Sequence, residues 1–309
     1  MASPAPTQGS LPTVPPRPRR VAFAGTPADA VPALRALVEA DREVPVVVTG
    51  EPRRRSRRGL PTPSPVAAVA AELGLSVSHD PTDLGDCDAD CAVVVAYGRL
   101  ISGELLAVTP MLNLHFSLLP RWRGAAPVES ALLAGDDRTG VSLMALEVTL
   151  DTGPVYWRHE VPIGATDTAA SLRRRLAHEG AQRLAASLTD GLGTPQPQAG
   201  EPTFAGKLTP ADRRIDWTQP AVHIDRQIRV GGAWTTLGSQ RFVIREATLA
   251  PSPPGSVPGT LVDDAVVTGD GLIRLRTVQP AGRAALDVAS WRRGARLAQE
   301  TRFDTAAQE

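Results

Sequence analysis

Asn113 and His115 lie two residues apart in the run Asn113-Leu114-His115-Phe116-Ser117-Leu118-Leu119-Pro120. The start of this run reads as a short buried strand, and side chains two apart on a strand project to the same face. Asn113 and His115 then stand together at the carboxyl end of a parallel strand, where open α/β sheets place their ligands. A carboxamide beside an imidazole suits acyl transfer. The amide N–H can stabilise a developing oxyanion, and the imidazole can stabilise charge or move a proton. A buried Asn and His satisfied by backbone partners would give the same pattern. A second segment, Leu150-Asp151-Thr152-Gly153-Pro154, follows the apolar stretch VSLMALEV and places Asp151 in a turn before the next strand. A carboxylate held beside His115 would orient its ring. Asp-Thr-Gly also favours a plain Asx-turn, so spacing alone does not bring Asp151 to His115.

The elements that must position these residues alternate. Val21–Gly25 reads as a strand, Pro27 to Glu39 as a helix and Val44–Thr49 as a strand, all apolar enough for a parallel sheet covered on both faces. A helix at Val66–Leu73, a strand at Cys91–Tyr97, a helix at Ser102–Val108 and a strand at Met111–His115 continue the pattern. After the irregular SLLPRWRGAAP come a helix at Val128–Ala134, strands at Gly140–Glu147 and Gly153–Val161, and an amphipathic helix at Thr168–Asp190. Gly, Pro and polar residues then crowd residues 191–215 as in an inter-domain linker. Beyond lie a helix at Val222–Val230, short strands at Arg241–Leu249, Gly259–Val262, Ala265–Thr268 and Leu272–Val278, and a last helix at Val288–Leu297. Such short strands between turn signals predict a small β-barrel. The fold class is thus α/β: a parallel-sheet domain over residues 19–200, a linker over 201–215 and a β-barrel domain over 216–305, behind a disordered Pro-rich extension over 1–18.

With 309 residues, 42% hydrophobic and 21% charged, the chain can bury the cores of two domains. Lys+Arg and Asp+Glu are 33 each, so net charge points to no nucleic-acid partner and only its local distribution can. The distribution is uneven at Arg53–Arg58 (RRRSRR), where Arg53, Arg54, Arg55, Arg57 and Arg58 follow a strand and could grip phosphates, or could form a solvated basic loop. Arg241, Arg245, Arg283, Arg292 and Arg293 are weaker candidates for a basic face further on. Cys87 and Cys91, four apart with no nearby His, make neither a disulfide framework nor a zinc site, and no metal is expected. The first twenty residues lack the apolar region of a secretory signal, and no stretch reaches the ~20 apolar residues of a membrane span, so a cytoplasmic location without membrane attachment is expected.

Asn113-x-His115 with SLLP, then RWRGAAP (Arg121–Pro127), then LDTG (Leu150–Gly153) resembles the folate-dependent formyltransferase family. FAGTP (Phe23–Pro27), PSPV (Pro63–Val66), VAYG (Val95–Gly98), FAGKL (Phe204–Leu208), RIDW (Arg214–Trp217), GAWT (Gly232–Thr235) and QPAGR (Gln279–Arg283) extend the resemblance over nearly the whole chain. It implies a Rossmann-like catalytic domain followed by an OB-like barrel, and a formyl group taken from 10-formyltetrahydrofolate. Asn113, His115 and Asp151 match the family's catalytic trio, Ser117, Leu118, Leu119 and Pro120 match the part near the folate pocket, and the basic loop matches a contact to the tRNA acceptor arm. The C-terminal segments imply the branch whose acceptor is the methionine on initiator Met-tRNA, at the start of protein synthesis, here as a monomer. A small-molecule amine acceptor and a noncatalytic tRNA- or folate-binding relative are the alternatives. Thr149 stands where the family usually has Gly, Glu129 where Gln is common, Arg57 where the first Gly of the basic turn is usual, and the Arg229–Ala233 loop is short.

Overall fold

The computed structural model describes residues 11–54, 59–251, 257–298 and 300–305. Arg55, Arg57 and Arg58 of the basic loop lie outside the described residues. The chain divides into two compact units. One holds the described residues up to Pro127 with Arg138–Pro162 and Arg173–Phe204; the other holds Val128–Asp137, Ile163–Leu172 and the chain from Ala205 onward. Two short segments within the expected 19–200 domain therefore pack in the second unit.

The first unit is built on β1 (Val21–Gly25), α1 (Val31–Glu39), β2 (Val47–Val48), a hairpin of β3 (Arg53–Arg54) and β4 (Pro61–Thr62), α2 (Pro65–Glu72), β5 (Val77–Ser78), α3 (Asp83–Asp86), β6 (Cys91–Val95), α4 (Gly103–Val108), β7 (Met111–His115) and β8 (Arg123–Gly124). After α5 (Pro127–Ala134), which from Val128 on belongs to the second unit, come β9 (Arg138–Ala145), β10 (Val155–Pro162) and the long α6 (Ala169–Asp190), whose first turn also belongs to the second unit. One seven-stranded sheet runs in the order β10-β9-β7-β6-β1-β2-β5. The strands from β5 to β7 are parallel, while β9 and β10 join antiparallel. Every residue of β1 and β6 is buried, as parallel strands covered on both faces require. The expected strand at Val44–Thr49 pairs only at Val47–Val48, and the one at Cys91–Tyr97 stops at Val95 because Ala96 turns to φ 47°. Helix α2 starts cleanly: the Ser64 hydroxyl accepts the Ala67 N–H at 2.9 Å, a cap worth about 1 kcal/mol, and Pro65 takes the first helical position.

From β1 the chain moves outward through β2 to β5, then returns to the other side of β1 for β6 and β7. The order of strands thus reverses between β1 and β6, and at such a switch point the loops at the carboxyl ends diverge and leave a crevice. The Thr26 hydroxyl ties these loops together, donating to Tyr97 O at 3.2 Å and accepting the Gly50 N–H at 3.3 Å.

In the second unit, after β11 (Phe204–Ala205), α7 (Ala221–Val230) packs with β12 (Trp234–Leu237), β13 (Gln240–Ala250), β14 (Leu261–Val262), β15 (Ala265–Val267), β16 (Leu272–Pro280), β17 (Leu286–Asp287) and α8 (Val288–Gly294). The antiparallel sheet runs β12-β13-β16-β15-β14, with β17 on β16. Residues 301–304 bridge its two edges: the Leu261 and Phe303 N–H groups bond to Thr301 O and Gly259 O on one side, and the Asp304 N–H to Thr236 O on the other. Phe303 is thereby inserted among Trp217, Phe242 and Trp291, with ring centroids 5.2–6.4 Å apart. The last helix is shorter than expected, ending at Gly294. Strand β12 has no counterpart among the expected strands.

Candidate active site

Strand β7 carries two different environments on one face. Met111 packs into the core with Val94, Leu105 and Leu106, and two and four residues on, the same face presents Asn113 and His115. The register holds Asn113 between Val94 of β6 and Met144 of β9, and His115 beside Ser142 of β9. His115 is 7% exposed. Its Nε2 lies 2.9 Å from Trp122 O, and a carbonyl only accepts, so Nε2 carries hydrogen.

Asp151 meets this pair from the turn between β9 and β10. Asn113 Nδ2 donates to its Oδ1 at 3.3 Å, the Gly124 N–H donates to its Oδ2 at 2.8 Å, and His115 Nδ1 lies 3.7 Å from Oδ2. Two local features place this carboxylate. Asp151 has φ 54°, a region open to Asp more readily than to most residues. Gly153 admits no side chain, since a Cβ there would fall 1.8 Å from Ala145 O. Gly is therefore required in the Asp-Thr-Gly turn for close backbone approach. Thr149 and Val148, β-branched beside this turn, are exposed, and the Asp151 bonds form around them.

Two cavities open at the carboxyl ends of the parallel strands. One, of about 490 Å³, contains Asn113, His115, Gly124 and Asp151 on its wall, with an apolar side made by Leu100, Ile101, Val148 and Leu150. Leu100 is 86% exposed, Val148 69% and Leu150 59%. Large aliphatic side chains left this open around polar groups mark a ligand surface. The other cavity, of about 370 Å³, lies over the switch point between Thr26, Gly50 and Ser64, with Arg53 at its edge. Ala96–Arg99 line both. Burial pushes the Tyr97 phenol above its ordinary range, with the Arg99 guanidinium opposing.

The structure brings Asn113, His115 and Asp151 together. Ser117, Leu118, Leu119 and Pro120, expected at the folate pocket, line neither cavity. They turn inward because their polar groups are needed there: Ser117 Oγ donates to Arg121 O at 2.6 Å, and Ser142 Oγ links Ser117 O to the Leu119 N–H at 2.6 and 3.1 Å. Leu119 is fully enclosed with Met144 and Val155. Arg53 and Arg54 are exposed on the β3–β4 hairpin. In the second unit Arg241 stacks on Trp234 at 4.4 Å, and Arg245 and Arg293 bond within the unit to Gln279 and Ser290. Sequence reasoning missed the Gly124 amide, the Trp122 carbonyl and the aliphatic rim. Backbone groups leave no signature, but three exposed aliphatics flanking VAYG and LDTG are a usable signal. Among the described residues, no group of three His, Cys, Asp or Glu side chains is placed to hold a metal ion, and no helix is long and apolar enough to cross a membrane.

Residues 19–188 match the formyl transferase family, and residues 207–296 match the formyl transferase C-terminal domain. A methionyl-tRNA formyltransferase of Acidothermus cellulolyticus is 43% identical over 92% of this chain and 100% of its own length; that of Thermobifida fusca is 43% identical over 92% and 99%. Among solved structures, the N-formyltransferase of Helicobacter canadensis with folinic acid and dTDP-3-aminofucose superposes with a TM-score of 0.63 at 17% identity, covering 83% of this chain and 98% of that one. HypX from Aquifex aeolicus with tetrahydrofolic acid gives 0.62 at 19% identity, covering 89% of this chain and 47% of its own. At such low identity these two share the fold alone. Family match over both parts of the chain, together with near-complete coverage at over two-fifths identity, establishes that the chain belongs to the formyl transferase family.

Proposed function

We propose that the protein transfers the formyl group of 10-formyltetrahydrofolate to the amino group of methionine on initiator Met-tRNA, working in the cytoplasm as a monomer. Support comes from the convergence of Asn113, His115 and Asp151 on one cavity with an aliphatic rim, in a chain that aligns over 92% of its length with a methionyl-tRNA formyltransferase.

The residues present fit the folate. Leu100, Ile101, Val148 and Leu150 offer apolar surface to a flat heterocycle, beside polar groups that would fix its formyl end. When bound, 10-formyltetrahydrofolate supplies the electrophilic formyl carbon. Asn113 Nδ2 has two hydrogens; one points to Asp151, and the other would donate to the formyl oxygen as it gains charge. One such donor is worth about 3–4 kcal/mol. His115, fixed through Nε2 on Trp122 O, turns Nδ1 to the carboxylate, so a proton on Nδ1 would be held between them. Asp151 would take the proton from the attacking amine, directly or through one water, and a proton would pass to N10 of the folate as its bond to the formyl carbon breaks and tetrahydrofolate leaves.

The second cavity would receive the aminoacyl end of the tRNA, since it shares the wall Ala96–Arg99 with the first and has Arg53 at its edge. Arg53 and Arg54, with Arg55, Arg57 and Arg58 next in sequence, would hold acceptor-arm phosphates.

An acceptor comparison tests this: formyl transfer from 10-formyltetrahydrofolate to Met-charged initiator tRNA, to free methionine and to a dTDP-amino sugar. Transfer to Met-tRNA far above the other two is expected. Transfer to the sugar amine instead would overturn the acceptor.

A further inference from the structure

Four hydrogen bonds converge on the side chain of Gln198, outside the trio and both cavities. Its Nε2 donates to Asp151 O at 2.9 Å and to Gly153 O at 2.8 Å. Its Oε1 accepts from Arg123 Nε at 3.1 Å and from Arg123 Nη2 at 2.7 Å. The first two bonds fix the backbone of the Asp151 turn. The other two fix Arg123, whose neighbour Gly124 donates its N–H to the Asp151 carboxylate at 2.8 Å. One carboxamide thus holds both the main chain of Asp151 and the strand that anchors its side chain. Glutamine suits this place chemically. An ionised Glu would accept from Arg123 but set its other oxygen, with no hydrogen, against two carbonyls, and Asn is one methylene too short to span both partners.

The segment carrying Gln198 is itself pinned on either side. Gln196 exchanges backbone hydrogen bonds with Val155, just after the turn, at 2.7 and 2.9 Å. Thr203 Oγ1 accepts the Trp122 N–H at 2.9 Å, and Thr203 O accepts the Arg123 N–H at 2.8 Å. Trp122 in turn holds His115 through its carbonyl. Residues 196–203 therefore form a strap behind both His115 and Asp151. The strap bonds to two residues in the left-handed region, Trp122 at φ 62° through its N–H and Asp151 at φ 54° through its carbonyl.

We infer that Gln198 is a positioning residue for formyl transfer, setting the Asp151 carboxylate against His115 and Asn113 through its bonds to Asp151 O, Gly153 O and Arg123. The inference rests on the function proposed above. Misplacing a reacting group by about 1 Å costs up to about a hundredfold in rate, so Gln198→Ala and the near-isosteric Gln198→Met are expected to lower kcat by between about tenfold and a hundredfold. Binding surfaces are untouched, so KM for either substrate should stay within about threefold. In an Asp151→Asn background, Gln198→Met should change the residual rate less than about twofold, because the two act as one unit. A kcat equal to the native value, or the same fold-loss in both backgrounds, would overturn the inference. Should Gln198→Ala fail to fold, Gln198→Met retains the packing and decides the matter alone. Should the native protein itself not formylate Met-tRNA, the acceptor proposal fails, and the positioning role is read from amide hydrogen exchange instead. The Gly124 amide is then expected to lose at least about tenfold protection in Gln198→Met, and unchanged protection would overturn the inference.

Discussion

His115 Nε2 and the carbonyl oxygen of Trp122, 2.9 Å apart, decide which way the imidazole faces. With hydrogen committed to that carbonyl, Nδ1 is left toward Asp151 at 3.7 Å. The carboxylate then has distinct tasks: it accepts from Asn113 and Gly124 and faces the ring nitrogen. Replacing Asp151 by Asn keeps the shape but removes the charge. The Asp151→Asn protein is expected to fold and bind folate while kcat drops by about 10²–10⁴-fold, the range for losing a general base. Steady-state kinetics with each substrate varied check this; a kcat within a few-fold of native would take Asp151 out of the proton path.

Gly153 tests the close approach of the turn to strand β9. A methyl group there meets Ala145 O at 1.8 Å, a clash with backbone that no rotamer relieves. Gly153→Ala should cost about 1–3 kcal/mol or more in denaturant unfolding and displace Asp151 enough to lose activity with it. Thr152→Ala is expected to be milder, since that hydroxyl bonds only to the exposed Glu147 and to Thr149 O.

Charge on the basic hairpin should affect the tRNA and not the folate. Neutralising Arg53 and Arg54 is expected to raise KM for Met-tRNA while folate KM holds. Each arginine that no longer neutralises a phosphate should flatten the dependence of log K on log salt by about 0.7–0.9. Binding titrations at several salt concentrations measure the slope, and an unchanged slope would leave these arginines as solvated surface.

Alkaline pH should weaken the fold through Cys91. Burial pushes its thiol from 9.0 up to about 12, with the neighbouring Asp90 charge adding to the effect. The folded state then keeps a proton that the unfolded chain releases, so stability is full below pH 9 and falls as pH climbs toward 12. A single such group contributes a slope of up to about 1.4 kcal/mol per pH unit. Cys91→Ala should flatten the pH dependence of unfolding in that window. Native Cys91 should also resist alkylation at about pH 8, as a neutral buried thiol does.

The fold is legible in the sequence where apolar runs and caps are strong, as in β1, β6 and the Ser64-capped α2. Short pairings are not. Nothing in Val44–Thr49 shows that only Val47–Val48 would be laddered, and β12 has just four residues to register itself. For the site, alternation along β7 puts Asn113 and His115 on one face, because that periodicity is local. That Asp151 reaches them depends on a left-handed turn and on a glycine pressed against Ala145, both set by tertiary packing. Ser117–Pro120 adjoin His115 in sequence but do not line the cavity beside it. The chain turns inward there to satisfy its own hydroxyl and amide groups. Gln198 lies in what sequence reads as linker, and long-range side-chain to backbone bonds carry no local pattern.

The most direct test of the central claim is single-turnover formyl transfer from 10-formyltetrahydrofolate to Met-charged initiator tRNA, with native protein beside Asn113→Ala. Native protein should formylate the aminoacyl-tRNA, and the variant should be slower by about 10²–10³-fold, the usual loss for one oxyanion donor, with folate binding retained. Equal rates would contradict the assignment of Asn113, and with it the catalytic reading of the trio.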